Sequence, residues 1–343
     1  MNVPPVALLN TGLVTPVGLT APASCAAIRA KLGNPKETRF ISAEGGWIMG
    51  CAVPLEESWL GLAKLTRMAA QAIGECLAGI PREDWPSIPL WLCLAEKTRP
   101  GRDDRLDERL FLDITRELQT SFAPESAIVA SGRAGIGTAL YQARKLIHEQ
   151  NKSLVLVVAV DSLLTAPTLT AFERAERLLT ETNSNGFLPG EAAGAVLLGR
   201  PSGAPELICK GIGFGMEKAT VDSEEPLRAD GIVHAIREAL NEAGCQLHDM
   251  DLRISDLSGE QYYFKEAALA VGRLMRKRRE ALDIWHAAEC TGEIGAASGV
   301  VALALADAAC RKSYAPGRRI LFHASNDAGE RTAVVLEFGA ASG

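Results

Sequence analysis

An internal repeat constrains the fold of this chain more than any other feature of its sequence. The order strand, turn of small residues, long helix, strand, turn, strand is predicted at 127–199 and again at 284–338, with an extra loop in the first copy. Strands that alternate with helices in this way indicate βαβ units around mixed sheets. We therefore expect an α/β protein with two similar halves, residues 1–202 and 203–343. The natural place for a site is the seam between them, where two Gly-rich helix N-termini meet.

The sharpest predicted turn lies in the first copy of the repeat. Apolar residues 127–129 lead into Ser131 and Gly132, and apolar residues then recur at helical spacing from Leu140 to Ile147. Turns of this kind present one side chain at a helix N-terminus, where backbone N–H groups stabilise an oxyanion or lower the pKa of a thiol. No strong nucleophile stands at the tip in this chain.

The remaining elements are predicted from hydrophobic periodicity. Segment 33–44 is expected to be a polar loop, and the charged segment 96–109 a solvated loop followed by a helix. Strands are expected at 6–14, 47–53, 90–94, 153–161, 207–214, 252–257, 319–324 and 331–338, and helices at 21–32, 60–77, 139–148, 231–243, 267–276 and 300–310. Helical spacing also follows the strand 153–161 and continues to Leu179.

Composition excludes several classes of protein. With 343 residues, 47% of them hydrophobic, the chain can bury a large core. Its formal net charge of -6 argues against nucleic-acid binding, and the basic run at Arg273 and 276–279 is interpreted as a solvated helix face. The N-terminus lacks the pattern of a signal peptide, and the longest apolar run, 154–160, is too short to span a bilayer. No membrane partner is expected.

The cysteines indicate a reduced protein. Eight are scattered without any CxxC pair, at 25, 51, 76, 93, 209, 245, 290 and 310. Neither a zinc site nor a disulfide framework is predicted, and no metal or other cofactor is expected. A cytoplasmic location fits this pattern best.

Several blocks resemble the β-ketoacyl synthases of the thiolase superfamily. Residues 10–19 resemble the family's first strand and turn, 185–198 its D-G-F-x-x-G-E-G-A-G block, 291–299 its T-G-H-x-x-G-A-A-G block and 325–336 its C-terminal strand. The resemblance covers essentially the whole chain and implies a thiolase-like fold, two similar βαβαβαββ halves in a layered αβαβα domain. The chain is shorter than usual between Glu96 and Phe122, a region that in relatives helps build the dimer interface and the acyl tunnel.

The catalytic residues of the family do not carry over. Its elbow, C-x-S-G-x-x-x-I-G, matches 129–137, where the nucleophilic cysteine is replaced by Val129. The first catalytic histidine falls at Leu257 or Asp256, and the second at Glu293. An alkane side chain cannot form a thioester. Loss of the nucleophile alone costs roughly a million-fold in rate, or about 8 kcal/mol of barrier, so ordinary Claisen condensation is not expected.

Other groups near the predicted seam leave alternatives open. Ser131 would serve as a nucleophile only with a base, for which His286 and His323 are candidates. The carboxylates of Asp256, Glu289 and Glu293 would either form an acid/base site or pair with Arg133 and Arg331. Arg133 would then fill the emptied pocket with a salt bridge. Asn326 is a further candidate pocket residue, and Cys290 is either a displaced thiol or a buried structural cysteine.

Three functions follow as hypotheses. The first is a catalytically degenerate ketosynthase-like protein that acts by binding, as a homodimer or with another protein. The second is an acyltransferase or hydrolase that acts on acyl-CoA or acyl carrier protein through Ser131 or the seam carboxylates. The third is a protein that binds those ligands without chemistry. The blocks at 256–262, 186–191 and 285–299 also resemble ketosynthase-like proteins found beside type VI secretion genes, which implies an accessory role.

Overall fold

A computed structural model describes residues 4–57 and 59–339. Its strands are β1 Val6–Val14, β2 Lys36–Ile41, β3 Trp47–Gly50, β4 Leu90–Cys93, β5 Ala127–Val129, β6 Leu154–Ser162, β7 Glu191–Gly199, β8 Glu206–Met216, β9 Leu252–Ser255, β10 Asp283–His286, β11 Arg319–Ser325 and β12 Glu330–Gly339. Its α-helices are α1 Ala21–Arg29, α2 Gly61–Cys76, α3 Phe111–Glu117, α4 Gly135–His148, α5 Ala166–Arg174, α6 Asp230–Glu242, α7 Gln261–Leu274, α8 Ala288–Thr291 and α9 Ser298–Arg311.

Ten of these strands form one continuous sheet in the order β10-β9-β11-β12-β8-β1-β7-β6-β4-β5. The first half of the chain supplies β1-β7-β6-β4-β5 and the second half supplies β8-β12-β11-β9-β10, which is the same arrangement. The two sets join where residues 6–8 of β1 pair with residues 207–209 of β8. The predicted boundary at 202/203 falls between β7 and β8, and as a domain boundary it stays a prediction.

Two long helices, α4 and α9, pack between the strand sets of the two halves. Their apolar residues share one core with residues of β5, β6, β9 and β11. A Cβ atom on Gly299 of α9 would lie 2.5 Å from the Cβ of Ile136 on α4, so glycine is required where these helices approach. The central position of α9 explains its sequence, because a helix covered on all sides is apolar all round.

Outer helices cover the other faces of the sheet. Helix α2 packs its apolar face on β1, β6 and β7, and α6 and α7 pack beside β11 and β12. The strand sets of the two halves therefore form two sheet layers, and the layers alternate helix, sheet, helix, sheet, helix. Strands covered by a central helix on one face and an outer helix on the other are buried on both faces. Strand β6 has a continuous apolar run for this reason.

The structure corrects three element predictions. Residues 36–41 form strand β2 and not a loop, because they pair with β3 and pack Phe40 beside Ile48 and other apolar residues. Helix α7 begins at Gln261, six residues before the predicted start, since its first turns bury the polar side chains of Tyr263 and Glu266. Helix α5 ends at Arg174, short of the predicted Leu179.

Within the described residues, no helix is both long enough and apolar enough to cross a membrane.

Candidate functional site

The two Gly-rich turns meet at the centre of the molecule. Residues 132–134 and 295–297 each form a 3-10 turn that leads into α4 and α9, and the two turns are in contact. Gly132 and Gly295 have positive φ angles of 52° and 55°. A Cβ on either would lie 2.0 Å from a carboxylate oxygen, of Glu96 and Asp161 respectively. Glycine is needed at both positions because the backbone is left-handed and buried acidic groups lie against it.

Val129 and Leu257 occupy two of the three positions where the family resemblance places catalytic groups. Val129, at the end of β5, is 6% exposed and belongs to the central apolar core with Cys93 and Ile136. Leu257 is buried against Tyr263 and Ala267 of α7. Neither side chain can transfer a proton or attack a carbonyl carbon.

Arg133 fills the space beside the elbow with a buried cluster of charges. Its Nη2 lies 2.9 Å from Oδ1 of Asp327, its Nη1 3.3 Å from Oε2 of Glu293 and its Nε 3.6 Å from Oδ2 of Asp256. The guanidinium also stacks 4.5 Å from the ring centroid of Tyr263. One arginine thus binds carboxylates from three segments of the second half of the chain.

Arg177 extends the cluster. Its Nε and Nη2 donate to the two carboxylate oxygens of Glu260 at 2.6 and 2.9 Å, and its Nη1 donates to Oδ2 of Asp327 at 2.7 Å. The hydroxyl of Tyr263 donates to the same aspartate. We call the set Arg133, Arg177, Asp256, Glu260, Tyr263, Glu293 and Asp327 the seam cluster.

Burial and charge act in opposite directions on these carboxyl groups. Burial raises the pKa of Asp256 and of Glu293 above their ordinary values, against the opposing effect of Arg133. Burial also acts to raise the pKa of Asp327, but Arg133 and Arg177 outweigh it and hold the pKa well below its usual range. The cluster depends on its two arginines, because they are the cations that compensate these buried acids.

Glu293 is held as a hydrogen-bond acceptor. Its Oε1 accepts the backbone N–H of Gly295 at 2.8 Å, and its Oε2 faces Arg133. Arg133 and the N–H of Gly295 both favour the ionised form of Glu293, and in that form the side chain only accepts hydrogen bonds. The group at the position of the family's second histidine therefore has the opposite hydrogen-bonding character.

Ser131 lies in the turn without a base. Its carbonyl oxygen accepts from Nδ2 of Asn326 at 3.1 Å, and the same amide nitrogen donates to Glu330 at 2.7 Å. Among the hydrogen bonds of residues 4–57 and 59–339, none joins the Ser131 hydroxyl to a histidine or a carboxylate. Asn326 therefore ties the elbow to the β11–β12 turn.

The structure does not bring together all the predicted site residues. His323 is buried on β11, where burial and the charge of Arg253 lower its pKa to about 3. His286 and Glu289 bind each other at 2.9 Å, and Glu289 also pairs with Lys31, outside the seam cluster. Of the two alternatives predicted for the carboxylates, Asp256 and Glu293 follow the pairing with Arg133, whereas Glu289 pairs with Lys31 and His286 and does not join them.

Arg331 and Cys290 also lie outside the seam cluster. Arg331 is 1% exposed and pairs with Glu266 at 2.8 Å, rather than with one of the three predicted carboxylates. Cys290 is buried beside Ile294 in a separate apolar group, and burial raises the pKa of its thiol. In the described part of the chain, no group of three or more His, Cys, Asp or Glu side chains is placed to hold a metal ion.

Little room remains at the seam. The cavity bounded by Arg133, Glu293, Asp327 and Phe187 is about 20 Å³, enough for a single water and too small for an acyl group. A larger cavity of about 730 Å³ lies on the other side of Arg99, whose Nη1 binds Asp161 at 2.7 Å. This buried ion pair separates the large cavity from the elbow.

Parts of this chain match known proteins in sequence. Residues 123–204, which contain the elbow and the Gly-rich turn before β7, match the N-terminal domain of β-ketoacyl synthases. The actinorhodin polyketide beta-ketoacyl synthase 2 of Streptomyces coelicolor is 29% identical over 191 residues. That match covers 51% of this chain and spans 46% of the relative's length.

Solved structures share the fold over nearly the whole chain. The ishigamide ketosynthase/chain length factor covers 97% of this chain and 99% of its own, with a TM-score of 0.80 and 18% identity. A ketosynthase in complex with its chain length factor, from Xenorhabdus doucetiae, covers 98% of both chains, with a TM-score of 0.77 and 12% identity. The chain is β-ketoacyl synthase-like. The predicted thiolase-like α/β fold is confirmed, whereas the predicted link to type VI secretion has no support in these relatives.

The sequence of this ketosynthase-like chain does not by itself indicate four of the seven members of the seam cluster, Arg177, Glu260, Tyr263 and Asp327. Arg133 and Asp327 are 194 positions apart, so periodicity cannot pair them. The one available signal is that Asp327 falls within 325–336, one of the blocks that resemble the family.

Proposed function

We propose that this protein is a non-condensing ketosynthase-like subunit that binds a catalytically intact ketosynthase. The observation that carries the proposal is the seam cluster, which fills the space beside the elbow where Val129 replaces a nucleophile. The protein acts through binding because the seam has neither a thiol nor a histidine to carry condensation.

The chemistry of the seam supports this assignment. Condensation needs a covalent thioester and donors that stabilise charge on its oxygen. Val129 cannot form the thioester, Leu257 has no polar atom, and Glu293 accepts hydrogen bonds at both oxygens. Removing a nucleophile alone lowers the rate roughly a million-fold.

A protein partner is supported by an unpaired sheet edge and by the relatives. Strand β5 pairs with β4 and, among the described residues, with no strand on its other side. Unpaired edges commonly bind another strand. The solved relatives include ketosynthases assembled with chain length factors, and one ketosynthase in complex with an acyl carrier protein. We propose that this chain binds the catalytically intact ketosynthase directly, and that an acyl carrier protein binds the complex of the two.

The test is reconstitution of a complex with defined stoichiometry. The full chain, tagged and expressed in its native host, is purified, and its partner is identified and weighed by native mass spectrometry. We expect a one-to-one complex with a ketosynthase that retains its catalytic cysteine. The complex should condense acyl substrates, and this activity should disappear when the partner's cysteine is alkylated. A homodimer that acquires an acyl adduct of its own would contradict the proposal.

A single substitution tests whether the seam can be restored. Val129→Cys places a thiol at the elbow but leaves Leu257 and Glu293 in place of the two histidines. We expect no condensation by this variant alone, measured as release of free CoA from malonyl-CoA and acetyl-CoA. Turnover above that of the unsubstituted chain would show that the seam retains catalytic groups.

A further inference from the structure

A third cavity lies outside the seam cluster, beside strand β10 at the edge of the sheet opposite β5. It has a volume of about 310 Å³ and is formed by α1, β10, α8, α9 and the residue Tyr314. Its volume is in the range of sites that bind small molecules. Neither the seam cluster nor the free edge of β5 contributes to it.

The floor and walls of this cavity are apolar and aromatic. Ile28 and Leu305 are 9% and 2% exposed and line it from α1 and α9. The rings of Trp285 and Tyr314 lie nearly parallel, 22° apart with centroids separated by 6.2 Å. Two half-buried aromatic rings on one wall favour a planar apolar group in the ligand.

Arg29 is a solvent-exposed cation that lines the cavity. The guanidinium of Arg29 lies 4.2 Å from the ring centroid of Tyr314. Within residues 4–57 and 59–339 it has no carboxylate within 4.0 Å, unlike Lys31, which lies 3.5 Å from Glu289. An aromatic ring therefore positions Arg29, and its guanidinium N–H groups remain available to bind both oxygens of a carboxylate.

The other polar groups add no negative charge that would repel an anion. Glu289 is matched by Lys31, and its second oxygen lies 2.9 Å from Nε2 of His286. Burial lowers the pKa of His286, so the ring is neutral at pH 7 and donates this hydrogen bond. Burial raises the pKa of the Cys290 thiol, which lines the cavity in its protonated form. The excess charge is the single positive charge of Arg29.

We propose that this cavity binds a small aromatic carboxylate, with the ring against Trp285 and Tyr314 and the carboxylate on Arg29. The ligand is bound and not transformed, because no nucleophile in the wall is paired with a base. The site is independent of the partner interface proposed above. Its occupancy would leave binding of a ketosynthase through β5 unchanged.

Calorimetric titration of the full chain with 3-phenylpropanoate tests the proposal. Two matched ligands separate its parts: 3-phenylpropanamide lacks the charge, and 3-cyclohexylpropanoate lacks the aromatic ring. Arg29→Gln removes the cation, and Arg82→Gln is the control. Arg82 also stacks 4.2 Å from a ring centroid, that of Trp85, at a place away from the cavity.

We expect saturable binding of the aromatic acid by the unsubstituted chain and by Arg82→Gln. Binding should be about 10-fold weaker for Arg29→Gln and for the amide, since each loses a charge-assisted hydrogen bond. The cyclohexyl acid should bind roughly 3-fold to 10-fold more weakly through loss of stacking. The proposal is overturned if the acid does not bind, if Arg29→Gln binds it as well as the control does, or if the cyclohexyl acid binds equally well.

Discussion

Single residues distinguish this seam from the catalytic motifs of the resembling family. Val129 is an isolated apolar replacement that packs into the core, whereas Glu293 brings a buried negative charge. A lone buried carboxylate is costly, and Arg133 supplies the compensating cation together with the link to Asp256 and Asp327. The replacements are therefore coupled, and changing one of them leaves the others without their partners.

Arg133→Gln should strongly destabilise the protein. It removes the cation from Asp256 and Glu293 while both remain buried, and loss of one partner of such a pair typically costs about 3–5 kcal/mol of unfolding free energy. Denaturant unfolding at pH 7.5 measures this cost. Arg116→Gln is the control, because Arg116 is 69% exposed and binds Asp113 on the surface. That change should cost no more than about 0.5 kcal/mol.

The same variant should show a defined pH dependence. Burial raises the pKa of Asp256 and of Glu293, so the folded state binds protons more readily than the unfolded chain. For acids with raised pKa values, the penalty is greatest when they are ionised and falls as the pH is lowered. The loss caused by Arg133→Gln should therefore be smaller at pH 5 than at pH 7.5. A loss below about 1 kcal/mol at both pH values would mean that the cluster does not depend on Arg133.

The sequence predicted some of the residues at the seam, but not which of them form ion pairs with each other. Arg133, Asp256 and Glu293 were identifiable because each departs from the resembling family at a motif position. Arg177 and Glu260 were not, since their pairing joins a segment after α5 to the start of α7 across 83 positions. Glu289 does not join Glu293, because α8 ends at Thr291 and Gly292, with a positive φ angle, turns the chain between the two residues, so they do not share a helix face.

At the level of elements, the C-terminal ends of three parallel strands bring two histidines into one row. His286 of β10 and His323 of β11 both pair in register with Ser255 of β9. The hydroxyl of Ser255 has no hydrogen-bond partner among the described residues. Hydrophobic alternation predicted the strands β9 and β11, but not this row, which depends on register. A polar row of this kind is stable only while its buried members stay uncharged.

His323 should make the protein sensitive to mild acid. Burial, assisted by Arg253, lowers its pKa to about 3 in the folded state, against about 6.5 in an unfolded chain. A histidine whose pKa is depressed contributes stability above pH 6.5, which is lost as the pH falls toward 3. Between pH 7.5 and pH 5 this amounts to about 2 kcal/mol.

The variant His323→Gln isolates this contribution. Glutamine keeps polar atoms but does not titrate, so the difference in unfolding free energy between pH 7.5 and pH 5 should shrink by about 2 kcal/mol. His234→Gln on α6 is the control, since that side chain is 59% exposed, and we expect it to leave the difference unchanged. An unaltered pH dependence for His323→Gln would show that other groups cause the acid sensitivity.

At the level of the whole molecule, one sheet runs through both halves and ends in two short edge strands, β5 and β10. The repeat in the sequence predicted that the halves would be alike, and the matched strand orders agree with it. The sequence could not indicate how the two edges differ. Strand β10 ends beside the cavity of Arg29 and Tyr314, whereas β5 leads directly into the elbow.

The free edge of β5 should be the surface that binds the partner ketosynthase. Val129 accepts the N–H of Leu94 at 2.9 Å, so alternate residues of β5 face β4 and the N–H and C=O of Ile128 face outward. A lysine on an edge strand opposes pairing with another strand. Ala127→Lys should therefore weaken the complex with the partner at least about 10-fold, with little change in thermal stability. Ala281→Lys, the same substitution just before β10, is the control and should bind as the unsubstituted chain does. Native mass spectrometry over a dilution series measures both, and full binding by Ala127→Lys would move the interface away from β5.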